Sequence, residues 1–456
     1  MMADIKKLEV PESLSRLGET FRDAGHELYL VGGVVRGALL LSSDKDTATE
    51  AQINRQDADA ATDAHPARIK ELLGPHAENL WTVGERFGTI AATIGEYEIQ
   101  ITTYRTDQYT RGSRHPEVKF GDNLREDLAR RDFTINAVAA EALTGEIVDP
   151  FEGRKDLERG VIRAVGDPLE RMRDDPLRML RAVRFETTLS KPEKPFAMTQ
   201  DLEEAIRNNA GWLESISAER KREEFEKILV SENVASGLRA LVRLGLMSYV
   251  VPEFMETVDV EQEAEFHHKD VFEHTLIVVS SVEADPILRK AAFFHDIGKP
   301  RTLVYEHRCN YCGAKSIRKS AEKGECEHCG GRTVPKKIHF YGHENVGAAI
   351  ARRAMQRLAY PKDDRRRRPS RRQPHASLRV RRKQGPVERR CGQALYQGHV
   401  PRARRQSARG RGHAPQARQG RHHGERAAAE AHRRRVLAQP QEQGGPGKSR
   451  GCRREA

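Results

Sequence analysis

The sequence predicts an α+β protein in which a small mixed α/β head precedes a long succession of helices. Three observations carry that reading. Leu28 to Val31 is a short apolar run ending in Gly32-Gly33, the pattern of a strand entering a tight turn. Thr89 to Ile94 and Tyr97 to Thr103 flank Gly95-Glu96 as the two arms of a hairpin. From about residue 146 the apolar side chains recur at helical spacing instead.

In chain order, the Gly32-Gly33 turn should open a helix running through Leu41, and residues 57 to 61 should form a second strand. Pro176 suits the first turn of a long helix carrying Leu177, Leu180, Arg181, Val183 and Arg184. Ser217 can cap another helix, on which Phe225, Ile228 and Leu229 follow at helical spacing. Residues 266 to 300 read as helical up to the turn Ile297-Gly298-Lys299-Pro300.

With 456 residues the chain should hold about two to four domains. The formal charge of +12 is unevenly spread: residues 365 to 456 hold 27 Lys+Arg against 5 Glu, and the remainder is mildly acidic. Any nucleic-acid surface in that remainder must come from local patches. No apolar run is long enough to span a bilayer, and the N-terminus lacks the basic-then-apolar pattern of a signal peptide. Four of the six cysteines fall in two CxxC pairs, the usage of a metal-binding protein in a reducing compartment, so a cytoplasmic location without membrane attachment is expected.

After Asp364 the chain has no Ile, Phe, Trp, Met, Asp, Asn or Thr, a composition that cannot bury a core and predicts an unfolded tail. One reading is a basic arm that grips RNA phosphates. The abrupt loss of whole residue classes favours another, translation of a GC-rich gene in the wrong frame.

Four clusters carry the chemistry. Asp57 and Asp59 sit two apart on a strand and can aim both carboxylates at one place, enough to hold a pair of magnesium ions about 3.5–4 Å apart. Gly32 and Gly33 let backbone N–H groups approach phosphates closely, and Arg36 adds fixed positive charge. The segment Asp44-Lys45-Asp46 repeats the DxD form, but only Asp57 and Asp59 are followed by Thr62-Asp63-Ala64-His65-Pro66 leading into a helix. Arg130-Arg131-Asp132 supplies charged groups for a sugar and phosphates, and Asp175 with Arg178 could present acceptors and donors to a base edge from one helix face. A plain surface salt bridge is the bland alternative for that last pair.

Together with Phe87-Gly88-Thr89, Arg105 through Arg114-His115-Pro116 and Asp149-Pro150-Phe151, these clusters resemble the class II tRNA nucleotidyltransferases, the CCA-adding enzymes, and their relatives the bacterial poly(A) polymerases. The resemblance covers about residues 26 to 190. It implies a nucleotidyltransferase head over 1–145, a neck over 146–210 that recognises the base, and a helical body over 211–265. It implies that Asp57 and Asp59 bind catalytic Mg2+, and that Gly32, Gly33, Arg36, Arg130, Arg131, Asp132, Asp175, Arg178 and Arg181 bind the nucleotide. The expected reaction is template-independent addition of CMP and AMP, from CTP and ATP, to a tRNA 3′ end, with pyrophosphate released. Phe87-Gly88-Thr89 favours CCA addition over poly(A) synthesis on RNA. Gly37 stands where the family has Asp, Asp174 where it has Glu, and Gln100 where it has a third acidic residue. Glu98, on the same strand face as Gln100, is a candidate substitute.

His274, then His295-Asp296 with Gly298-Lys299 after it, resembles an HD domain, with His343 at a further ligand position. Such a site holds a divalent metal that activates water against a phosphoester, which makes a phosphohydrolase acting on nucleotides or cyclic phosphates the alternative function. The HD pattern closes with a distant Asp. After Asp296 only Asp363 and Asp364 remain, so a truncated domain over 266–362 with weak or absent hydrolysis is expected. Within it Cys309, Cys312, Cys326 and Cys329 predict a zinc-ribbon insert over 305–335, with Zn2+ in a closed, structural shell or an RNA-contacting knuckle. The basic low-complexity tail occupies 363–456. The sequence fixes no oligomeric state.

Overall fold

The structure is a computed structural model that describes residues 5–42, 58–108, 117–261 and 270–361. Asp57, the Asp44-Lys45-Asp46 run, the segment 109–116 and the tail after Pro361 lie outside the described residues.

The head opens with α1 (Glu12–Asp23), whose Leu14, Leu17 and Phe21 are buried on one stripe. β1 (Tyr29–Val31) runs through Gly32 into α2 (Gly33–Ser42). β2 (Ala58–Thr62) leads to α3 (Pro66–Leu73), which starts with Pro66 at its first position, where a missing N–H costs nothing. β3 (Asn79–Trp81), β4 (Thr89–Ile94) and β5 (Tyr97–Thr103) follow. β4 and β5 pair antiparallel with the bounds and turn that the sequence predicts. β6 (Arg105–Gln108) and β7 (Glu117–Phe120) form a separate two-stranded ribbon. α4 (Leu124–Ala129) is capped by the Asn123 side chain, and β8 (Ala139–Glu141) and β9 (Ile147–Val148) complete the head.

Seven strands make one mixed sheet in the order β3-β4-β5-β2-β1-β8-β9. Only β2 and β5 are parallel; their connection passes through α3 and the β3-β4 arm, the long crossover that parallel pairing requires. β2 therefore lies in the middle of the sheet, between β1 and β5. The head extends three residues past the expected boundary at 145, because β9 pairs with β8.

The neck is not purely helical. α5 (Gly153–Arg159), α6 (Pro168–Asp174), α7 (Leu177–Leu189) and α8 (Gln200–Asn209) are joined by a short parallel pair, β10 (Val161–Ile162) with β11 (Ala197–Met198). Two residues per strand leave no periodicity to read. Pro176 also corrects the expectation that Asp175 and Arg178 share one helix. The residue before a proline is driven out of the α region, and Asp175 has φ −145° and ψ 100° between α6 and α7.

The body contains α9 (Ala218–Leu229), whose Ser217 cap accepts from the Arg220 N–H as the sequence predicts, α10 (Val234–Arg243) and α11 (Met247–Val250). The helical stretch expected over 266–300 is interrupted: α12 (Val271–Ser281) ends before Asp285, which caps α13 (Pro286–Phe294), and α14 (Lys299–Thr302) follows the turn. Phe293 of α13 stacks on Phe254 with ring centroids 4.3 Å apart and meets Phe225 of α9 edge-on at 5.3 Å, so body and later helices share one core. The cysteine-bearing insert is a four-stranded antiparallel sheet: β12 (Leu303–Cys309), β13 (Lys315–Arg318), β14 (Gly324–Glu325) and β15 (Arg332–Phe340), in the order β13-β12-β15-β14. It reaches slightly beyond the expected 305–335. α15 (His343–Arg357) closes the described chain.

Candidate active site

A cavity of about 590 Å3 opens where the end of β1, the middle of β2 and the neck helix α7 meet. Gly32 makes the approach possible. Its φ of +69° is a left-handed value, and a Cβ there would lie 3.2 Å from an Arg131 guanidinium nitrogen and 3.8 Å from Asp59 Oδ2. Backbone, guanidinium and carboxylate thus crowd one point, beside the N–H groups at the start of α2. Asp59 stands in register with Gln100 of β5, and both line the cavity. Gln100 offers a neutral amide oxygen where a carboxylate would be a stronger cation ligand.

Arg130 and Arg131 are aimed by a residue the sequence reading missed. Asp127 of α4 accepts from Arg130 Nε and Nη2 at 3.0 and 2.7 Å, and from Arg131 Nη2 at 3.2 Å. Its side chain is almost wholly buried. Burial pushes its pKa up, yet the two guanidiniums prevail and hold it below the usual carboxylate range. The signal was present as an acidic residue three and four positions before the arginines, a helical spacing.

Asp132 is engaged on both oxygens. Oδ1 accepts from the Phe133 N–H and Asn136 Nδ2, and Oδ2 accepts from Arg181 Nε at 2.7 Å. Burial opposes its ionisation, but the Arg181 charge and these hydrogen bonds keep it far below the ordinary range. Arg36 donates to Asn136 Oδ1, and burial lowers its pKa to about 10, so it remains a cation at neutral pH. The Phe185 ring lies under three guanidiniums, those of Arg184 at 4.2 Å, Arg36 at 4.8 Å and Arg181 at 5.5 Å.

The two residues expected to read a base share a backbone hydrogen bond, Arg178 N–H to the Asp175 carbonyl at 3.0 Å, but their side chains turn to different partners. Asp175 Oδ1 accepts from the Leu177 N–H at the start of α7, and Oδ2 lies 2.7 Å from an Arg220 guanidinium nitrogen of α9. Arg178 is buried and donates to the Arg130 and Arg171 carbonyls at 2.7 and 3.1 Å. Arg220 and Lys227 were not foreseen in the site; they lie seven residues apart on one face of α9 and enter the cavity wall with Arg184 and Phe185. The wall has eight Lys and Arg residues against the carboxylates of Asp59, Asp132 and Asp175, an excess suited to a polyanion such as a triphosphate.

The second predicted cluster also assembles. His274 of α12 and His295 and Asp296 after α13 can present ligand atoms within 4.8 Å of one another. His343 Nε2 lies 3.6 Å from Asp296 Oδ1. His295 Nδ1 and His343 Nδ1 lie 2.7 and 2.8 Å from backbone carbonyls, which turns both Nε2 atoms inward, and His295 Nε2 lies 3.0 Å from Asp296 Oδ2. Gly298 permits the approach, since a Cβ there would meet the His343 carbonyl oxygen at 2.2 Å. Burial raises the Asp296 pKa, but His295 and Lys299, whose Nζ is 2.7 Å from Oδ2, drive it well below the usual range.

Cys309, Cys312, Cys326 and Cys329 are all free thiols brought together in the insert. The Cys309–Cys329, Cys312–Cys329 and Cys312–Cys326 sulfurs are 3.5, 3.4 and 3.7 Å apart. A tetrahedron with Zn–S bonds of about 2.3 Å has edges of about 3.8 Å, so the donor set and its spacing fit zinc.

Among the described residues no helix is long and apolar enough to cross a membrane. Residues 28–163 match the family described as the Poly A polymerase head domain, and residues 195–257 match a probable RNA and SrmB-binding site of polymerase A. The CCA-adding enzyme of Lactobacillus helveticus is 41% identical over 237 residues, which are 52% of this chain and 54% of that protein. That of Bacillus subtilis is 39% identical over 225 residues, 49% and 51% respectively. A crystal structure of the Bacillus stearothermophilus CCA-adding enzyme in complex with CTP aligns at a TM-score of 0.49 and 32% identity, over 63% of this chain and 64% of that one. The chain spans about half the length of the curated relatives it matches. Through the head and neck, the chain is thus similar in sequence to the Poly A polymerase head domain and to CCA-adding enzymes.

Proposed function

We propose that this chain adds CMP and AMP, from CTP and ATP, to the 3′ end of tRNA without a nucleic-acid template. The observation that supports this best is the single cavity in which Gly32, Asp59, Arg131 and the Asp175–Arg178 segment converge. The Gly32-Gly33 backbone with Arg131 cradles the triphosphate, and Arg36 contributes long-range positive charge from its buried position. Asp59, with Asp57, would hold Mg2+, which when bound would supply activation of the attacking 3′-hydroxyl and neutralisation of the departing pyrophosphate. Asp175 and Arg178 select the base, with Asp132 and Arg181 fixing the wall behind them. The domain bounds of the sequence reading are retained, with the head ending at 148.

The test is incorporation of labelled CTP and ATP into tRNA lacking CCA. One to three added residues are expected, and Asp59→Ala should abolish addition while tRNA still binds. Long A-tails would instead indicate poly(A) synthesis, and no incorporation would remove the reading.

For the other two clusters we propose structural Zn2+ on the four cysteines and a divalent metal on His274, His295, Asp296 and His343. Lys299 already neutralises Asp296, which argues for weak metal affinity and weak hydrolysis. Metal content of the purified chain checks both: one zinc per chain is expected, retained in Asp296→Ala.

A further inference from the structure

The insert's outer sheet face carries chemistry that neither cluster uses. Glu306 of β12 fixes which side chains share that face. Arg308 Nε and Lys315 Nζ lie 3.4 Å from Glu306 Oε1, and His339 Nε2 lies 3.6 Å from Oε2. Glu306 also faces Ile317 of β13 and Lys337 of β15 in register. The pairing slips between Glu306 and His307, an irregularity that leaves both Lys336 and Lys337 exposed. At the end of the strand the Tyr341 ring stacks on His339, with centroids 5.0 Å apart and planes 13° apart.

The face therefore joins three cations (Arg308, Lys315 and Lys337), with the exposed Lys336 of the irregularity next to them, to a stacked aromatic pair and one carboxylate that is itself ion-paired. Tyr341 is 65% exposed and Ile317 52%, two large side chains with apolar surface left open to solvent. Basic side chains interleaved with exposed rings suit RNA, whose phosphates meet the lysines and whose unstacked bases meet the aromatic platform. An acidic protein surface would satisfy the lysines but would leave the ring pair without a purpose.

We propose that this face, built from Arg308, Lys315, Lys336, Lys337 and the His339–Tyr341 stack, is a second RNA-binding surface that holds tRNA away from the nucleotide cavity. The inference rests on the reading that tRNA is the substrate. The cysteine knuckle's part is to hold β12 and β15 in register beneath it.

The test uses the full chain carrying Asp59→Ala, so that binding is measured apart from catalysis, with labelled tRNA lacking CCA across a salt series. Adding K315A/K337A should lower the slope of log affinity against log salt by about 2, one for each lost phosphate contact. Adding Y341A should weaken binding roughly 5- to 100-fold, the range for one stacked base. K315R/K337R should restore the original slope, and an unchanged melting temperature would show that the sheet is intact. Unaltered affinity and slope in K315A/K337A and Y341A would overturn the proposal. Failure of the unsubstituted chain, with Asp59 intact, to incorporate CMP or AMP would overturn the proposed function instead.

Discussion

Gly32 and Asp132 show how narrowly single residues define this cavity. Gly32→Ala places a methyl group against Arg131 at a left-handed φ. We expect about 1–3 kcal/mol of lost stability from backbone strain and a loss of CTP binding, read by thermal melting and titration calorimetry. Asp132→Asn leaves the half-buried Arg181 without its counter-charge, a change expected to cost about 1–3 kcal/mol because solvent screens part of the lost pairing. Asp132 ionises more readily folded than unfolded, so its contribution is present above the unfolded value of about 3.9 and is lost as pH falls below it. The variant should therefore have a shallower acid limb in a plot of melting temperature against pH. Glu186 has the opposite sign. Burial, against the weaker pull of Arg243, raises its pKa to about 7, so stability is full below about pH 4.3 and declines as pH rises through 7. Glu186→Gln should remove that decline and gain about 2–3 kcal/mol at pH 8, measured by urea unfolding at pH 5 and pH 8.

At the scale of elements, α9 belongs to the body by sequence yet supplies Arg220 and Lys227 to the cavity wall. Both are about half exposed, so their pairing contributes little to stability, within about 1 kcal/mol. R220A/K227A should weaken CTP and ATP binding about tenfold, the loss of one to two charge-assisted contacts, with the melting curve nearly unchanged. The four-stranded insert behaves differently, because its short β14 and exposed β13 have little core of their own. Chelation of the proposed zinc should raise amide exchange across residues 303–340 while leaving β1, β2 and β5 protected. Uniform exchange throughout the chain after chelation would contradict a local, structural metal.

Across the whole molecule, what could be read from the sequence followed the range of the interactions. The β4–β5 hairpin, the strand into Gly32-Gly33, the Ser217 cap and the CxxC pairs are local patterns, and the structure has each of them. Asp127 escaped notice although its spacing from the two arginines is helical, because an acidic residue three or four positions from a basic one is common on exposed helix faces and only the fold buries this one. Arg220 escaped because no local pattern says that α9 folds against α7 and reaches Asp175. The Asp175–Arg178 pair was misread in geometry because helical spacing outweighed the proline between them. The small β10–β11 sheet of the neck and the β6–β7 ribbon were unreadable for a plainer reason: strands of two to four residues contain too few positions to alternate.

Arg178 and Arg181 of α7 are anchored on the Arg130 carbonyl and on Asp132, within the segment that carries the cavity-lining Arg130 and Arg131. A chimera joined at the head–neck boundary would pair an α7 from one parent with an Arg130–Asp132 segment from another. Grafting base preference between relatives would then succeed only with a cassette running unbroken from α4 through α7.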